Sequence, residues 1–121
     1  MKITNFRELE IWKLGKEIVV DTYKVTKEFP KGEIFGITSQ MRRAAISIPS
    51  NIAEGFNRFH NKDYRRLLFI ALGSIAELET QFEISLDLNF INSQILKISL
   101  EKLDHESRMI RNLIKKLDYS I

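Results

Sequence analysis

Helix breakers are rare in this chain, and their positions dictate what it can fold into. Two prolines and five glycines in 121 residues are too few for a turn-rich all-β fold. One cut falls at Phe29-Pro30-Lys31-Gly32, where proline disfavours helix in the residue before it and Gly32 suits a left-handed turn. A second falls around Phe59-His60-Asn61, with Asn61 as N-cap of the third helix. The third runs from Asn89 to Asn92, with Asn92 or Ser93 as cap of the fourth. Four pieces remain, about 6–29, 36–58, 62–89 and 93–119, each roughly 35–40 Å long as a helix. Similar lengths and short links predict an all-α, antiparallel up-down-up-down four-helix bundle, formed as a single domain by residues 1–121.

Each piece carries an apolar stripe at helical spacing. The stripes read Leu9, Trp12, Val19, Tyr23; Ile37, Met41, Ala44/Ala45, Ile48, Ile52; Leu68, Ala71, Ile75, Leu78, Phe82, Leu86; and Leu96, Leu100, Leu103, Ile110, Leu113/Ile114, Leu117. Pro49 lies inside the second piece. It removes a helical hydrogen bond and should kink the helix, and Ser47, Ser50 and Asn51 stand close enough to satisfy freed backbone groups.

Some pieces carry two stripes. The first adds Ile11, Leu14, Ile18, Val25 and Phe29; the second adds Ile46 and Ala53; the third is apolar nearly all round from Leu67 to Ala76. A helix without a polar face is covered on more than one side. In so small a bundle the second cover is another chain, so the sequence predicts a homo-oligomer held through the first three helices.

Antiparallel neighbours allow residues to be paired by height. In the second and third helices, residues whose numbers sum to about 121 lie level. Ser47 then meets Ser74, and Gly73 with Ala44 makes that level small enough for close helix approach. Arg42 or Arg43 pairs with Glu77 or Glu79, and Glu54 with Arg65 or Arg66. Structural roles are therefore predicted for Arg43, Ser47, Asn51, Glu54, Gly73, Ser74 and Glu77. One end of the bundle collects residues 1–12, 54–69 and 110–121, with nine basic and five acidic side chains, a net of +4. The opposite end, residues 22–44 and 79–101, has six of each sign. Arginine and lysine interleaved with Phe56, Phe59, His60 and Tyr64 suit phosphate contact and base stacking. Arg58, Lys62, Arg65 and Arg66, flanked by Lys115 and Lys116, are the candidate nucleic-acid-binding residues, with RNA as the partner.

Other chemistry is missing from the sequence. There is no cysteine and only two histidines, His60 and His105. Thiol nucleophiles and thiolate metal sites are excluded, and no catalytic, cofactor or metal-ligand motif is present. The chain reads as a nonenzymatic protein without a cofactor. The N-terminus lacks an apolar leader, and the longest mainly apolar run, Leu67–Ala76, falls well short of the roughly 20 residues of a membrane span. A cytoplasmic location without membrane contact is expected.

The runs Phe29-Pro30, Gln40-Met41-Arg42-Arg43-Ala44-Ala45-Ile46-Ser47-Ile48-Pro49-Ser50-Asn51-Ile52-Ala53-Glu54-Gly55 and Ala71-Leu72-Gly73-Ser74-Ile75-Ala76-Glu77-Leu78-Glu79, together with Trp12, resemble the 23S rRNA intervening-sequence family, also called S23 ribosomal proteins. The resemblance spans nearly the whole chain. It implies an antiparallel four-helix bundle, a homopentameric ring, a bacterial source and no established enzymatic activity. A relative of that family is the accessory protein of diversity-generating retroelements, which binds a reverse transcriptase and nucleic acid. A scaffold for a nucleic-acid-processing protein is thus the alternative to direct RNA binding.

Overall fold

The structure, a computed structural model, describes residues 2–118. Four helices carry the fold: α1 (Glu10–Thr26), α2 (Ile37–Phe56), α3 (Asn61–Asp87) and α4 (Ser93–Asp118). Single 3₁₀ turns at Phe6–Glu8 and Lys31–Glu33 precede α1 and α2, and no strand occurs among the described residues. The sequence extends the last helix to residue 119, which lies outside the described residues.

The ends of the helices follow local chemistry. Asn5 caps the first 3₁₀ turn by accepting from Arg7 N, while Glu8 reaches back to Asn5 N, a capping box. Asn92 Oδ1 accepts from Ile95 N at 2.8 Å, the usual side-chain cap of a first turn. α3 stops in a Schellman motif: Phe90 N donates to Ser85 O and Asn89 N to Leu86 O. Asn89 takes the left-handed position, at φ 63°. Two sequence expectations need correction here. Asn61 is the first residue of α3, and His60 holds the cap position with extended backbone. Gly32 is not left-handed; it lies in a 3₁₀ turn set up by Pro30.

Contacts run in opposite order along each neighbouring pair. On α2 and α3, Met41 meets Ser85, Ser47 meets Ser74, and Gly55 meets Leu67. On α1 and α4, Gly15 meets Glu106 and Asp21 meets Lys102. α1 packs on α2, α2 on α3, α3 on α4, and α4 returns to α1. The result is an all-α antiparallel bundle with its core along the axis. Met41, Ile48, Ile52, Leu68, Leu78, Phe82 and Ile110 are fully buried there, each contributing about 1.5–3 kcal/mol of apolar burial.

α1 presents a different face to the core from the predicted one. Its buried residues are Ile11, Gly15, Ile18, Thr22 and Thr26, while Trp12 and Val19 are half-buried and Tyr23 is exposed. The threonines fit an apolar core because their hydroxyls are satisfied inside the helix. Thr22 donates to Ile18 O at 2.8 Å and Thr26 to Thr22 O at 2.7 Å. α2 passes through Pro49 without a break. The carbonyl that a proline leaves without a donor is four residues back, at Ala45. Asn51 Nδ2 instead donates to Ser47 O, so it does not serve the freed group. No described helix is long and apolar enough to cross a membrane.

Candidate nucleic-acid interface

Three helix ends meet at the basic end because α2 closes tightly on α3. A Cβ on Gly55 would come within 2.8 Å of Tyr64 Cδ1 and 3.3 Å of Leu67 Cβ. Only a glycine admits that approach. Phe56 then stands edge-on to Tyr64, with ring centres 6.2 Å apart. Burial pushes the Tyr64 hydroxyl up to about 12, so it stays protonated. The link 57–60 carries Phe59, 94% exposed and edge-on to His60 at 5.0 Å. Arg65 fastens the end of α4 to the start of α3 through Asp118, at 2.6 Å.

The predicted cations fall into two groups. Lys62, Arg66, Lys115 and Lys116 are exposed and make no ion pair among the described residues. Arg58 and Arg65 are already engaged: Arg58 pairs with Glu54 at 2.7 Å, one turn back on α2, and Arg65 pairs with Asp118. The expectation that Glu54 pairs with Arg65 or Arg66 is therefore corrected. An i,i+4 partner on the same helix is nearer than one across the gap.

A second polar site lies on the α2–α3 seam. Ser47 Oγ and Ser74 Oγ are 2.7 Å apart. Asn51 Nδ2 donates to Ser47 Oγ at 2.9 Å, and Ser74 Oγ to Ile70 O at 3.3 Å. With one proton per hydroxyl, Asn51 donates to Ser47, Ser47 to Ser74, and Ser74 to the backbone. Gln40, Arg43, Ala44 and Glu77 complete a shallow cleft around the serines. Arg43 and Glu77 share this cleft without an ion pair, and Glu77 accepts from Gln81 Nε2 at 3.4 Å. Arg42 turns toward α1 instead. Its Nε donates to Thr26 Oγ1 at 2.9 Å and its guanidinium lies over Tyr23, 4.5 Å from the ring centre. Both arginine–glutamate pairings are thus corrected. Gly73 also departs from its predicted role: it is exposed, and a Cβ there meets nothing within 4 Å. The small residues of the seam are Ala44, Ser47 and Ser74.

Two groupings have no counterpart in the sequence reading. Lys102 on α4 clamps Glu17 and Asp21 of α1 at 2.8 and 2.5 Å; its hydrogen bonds to Asp21 and then to Glu17 hold the ammonium above the ordinary lysine range. Glu106 is buried in the core. Among the described residues, no three histidine, cysteine or acidic side chains lie close enough together to hold a metal ion.

These features define a helical bundle with a serine-lined seam and a basic end tipped by an exposed aromatic. The model of the 23S rRNA-intervening sequence protein family matches residues 7–112, and the chain belongs to that family. Among solved structures it is similar to a protein of unknown function from the S23 ribosomal protein family of Bacteroides thetaiotaomicron. That match has a TM-score of 0.78 and 21% identity, and covers 87% of this chain and 98% of the other. At that identity the likeness speaks for the fold. No curated protein matches the chain.

Proposed function

We propose that this protein is a nonenzymatic, self-associating RNA-binding bundle that contacts RNA through its basic end. One observation carries the reading: Lys62, Arg66, Lys115 and Lys116 are exposed and, among the described residues, unpaired at the end where Phe59 is bare. Free cations release counterions from phosphate, and an exposed ring offers a base a stacking partner. The start of α3 adds partial positive charge at the same height. Arg58 and Arg65 support the site from their ion pairs.

Self-association rests on exposed apolar side chains of the first three helices. Val20 and Tyr23 on α1, Ile46 on α2 and Phe69 and Ile70 on α3 are each at least 40% exposed. The family resemblance supports a pentamer as the assembly, and a ring would multiply the basic patch. The same apolar surface favours the second reading, a scaffold for a nucleic-acid-processing protein.

The deciding experiment replaces Lys62, Arg66, Lys115 and Lys116 with Gln and titrates labelled single-stranded RNA at two salt concentrations. Loss of affinity and a shallower salt slope, by about 0.7 per lost phosphate contact, support the reading. An intact assembly with unchanged affinity and slope removes it and puts the scaffold first.

A further inference from the structure

The buried polar residues described are Thr22, Thr26, Thr38, Ser74, Gln81, Ser85 and Glu106. Glu106 alone among them is ionisable. Its side chain is 0% exposed, and neither Oε1 nor Oε2 has a hydrogen-bond partner. It sits on α4 between Leu103 and Ile110, both core residues. Opposite it, α1 places Gly15. A Cβ there would lie 2.9 Å from Glu106 Oε2 and 3.4 Å from Pro49 Cβ. The carboxyl group thus occupies a notch between a missing side chain on α1 and the proline ring of α2.

Among the described residues, no charge faces this notch. On α1, Glu17 and Asp21 are held by Lys102 at the surface. On α2, Arg42 is held by Thr26 and Tyr23, while Arg43 and Glu54 are exposed. None of the buried residues of α3 is titratable. On α4 itself, Lys102 is turned to α1. An ionised carboxylate here would have neither water nor a counter-charge.

We infer that Glu106 is held as the neutral acid in the folded bundle, so that folding takes up one proton and loss of that proton loosens the packing of α4. Burial alone raises its carboxyl from 4.5 to about 8. Below the lower value both folded and unfolded chains are protonated, and the full stability is present. Between the two values the unfolded chain releases its proton and the folded chain keeps it. Each pH unit in that window moves the folding equilibrium about tenfold toward the unfolded state. Above about 8 the slope ends. α4 carries the charge, and a cleft of about 310 Å³ between α1, α3 and α4 runs along it as far as Lys102, one turn from Glu106.

The test is urea unfolding between pH 5 and 9 for the wild type and Glu106→Gln. Up to about pH 8 the wild type should lose about tenfold in folding equilibrium per pH unit relative to the variant, and above it the two profiles should run parallel. Parallel pH profiles across the whole range overturn the inference. If Glu106→Gln does not fold, infrared spectra of wild-type protein carrying isotope-labelled glutamate decide. A protonated-carboxyl band at pH 7 that fades above about 8 supports it, and ionised bands alone at pH 7 overturn it.

Discussion

Ser47 Oγ lies 2.7 Å from Ser74 Oγ, and this contact sets the register of α2 against α3. Both hydroxyls sit mid-way along their helices, where a larger side chain would hold the backbones apart. The relay through Asn51 and Ile70 O leaves neither hydroxyl proton without an acceptor. Such a chain orders one alignment over its neighbours, since a slip along the helix breaks the contact between the two hydroxyls.

Removing one member of the relay should cost about 0.5–1.5 kcal/mol, the net worth of one hydrogen bond. Ser47→Ala and Ser74→Ala are each predicted to lower the urea midpoint. The double variant should cost less than the two single costs combined, because the residues share the bond. Strict additivity in equilibrium unfolding would mean that the contact is not a stabilising pair.

Gly55 and Gly73 should respond to alanine with opposite signs. At Gly55 a methyl group meets the Tyr64 ring and Leu67 at sub-van-der-Waals distance, so Gly55→Ala is expected to lose about 1–3 kcal/mol. At Gly73 the methyl group meets nothing, and alanine is the better helix former by about 0.8–1 kcal/mol. Thermal melts of the two variants, read side by side, should move in opposite directions.

Asp118→Asn is predicted to lower stability and raise RNA affinity together. It removes the partner of Arg65, whose Nε is buried without an acceptor. The pair is half-exposed, so the stability loss should be about 1 kcal/mol or less. The freed guanidinium then adds one cation to the basic end. A fall in RNA affinity would assign Asp118 a part in binding and contradict this arrangement of charges.

Much of the frame was legible because helix length and breaker position are one-dimensional facts. The cuts at Pro30, at Phe59-His60 and at Asn89-Asn92 bound the observed helices to within a few residues, and the level of Ser47 and Ser74 came from the turn between them. The face of α1 was not legible in this way. Its two apolar stripes lie side by side, and periodicity cannot say which one turns inward. The large rings of Trp12 and Tyr23 favoured the wrong one. The core instead uses Gly15, Thr22 and Thr26, whose small or self-satisfied side chains let α1 approach Pro49 and Glu106.

Charges were the least legible part of the candidate site. Arg42, Arg58 and Arg65 have long side chains with several partners in reach, and height along the bundle does not choose among them. Arg58 takes the acid one turn away, while Arg42 takes a hydroxyl and a ring on α1. Glu106 does not stand out in the sequence because acidic residues are almost never fully buried unless paired. Its spacing did carry the signal: it stands three residues after Leu103 and four before Ile110, within the core stripe of α4.

The outer stripe of α3 gives the last prediction. Phe69, Ile70, Gly73 and Ala76 are exposed at spacings that place them on one helix face. None of them is part of the buried core, so a charge at Ile70 leaves the bundle interior untouched. Substitution at an exposed site of this kind changes monomer stability by about 0.5 kcal/mol or less. A charge buried between two copies, by contrast, costs several kcal/mol for each contact in which it recurs. If this stripe is the subunit face, Ile70→Asp should keep its helical circular dichroism and sediment as a 14.2 kDa chain, where the wild type sediments as a multiple of that mass. A variant that assembles like the wild type would move the contact to the stripe of Val20, Tyr23 and Ile46. A wild type that is itself a concentration-independent monomer would remove self-association from the proposed function.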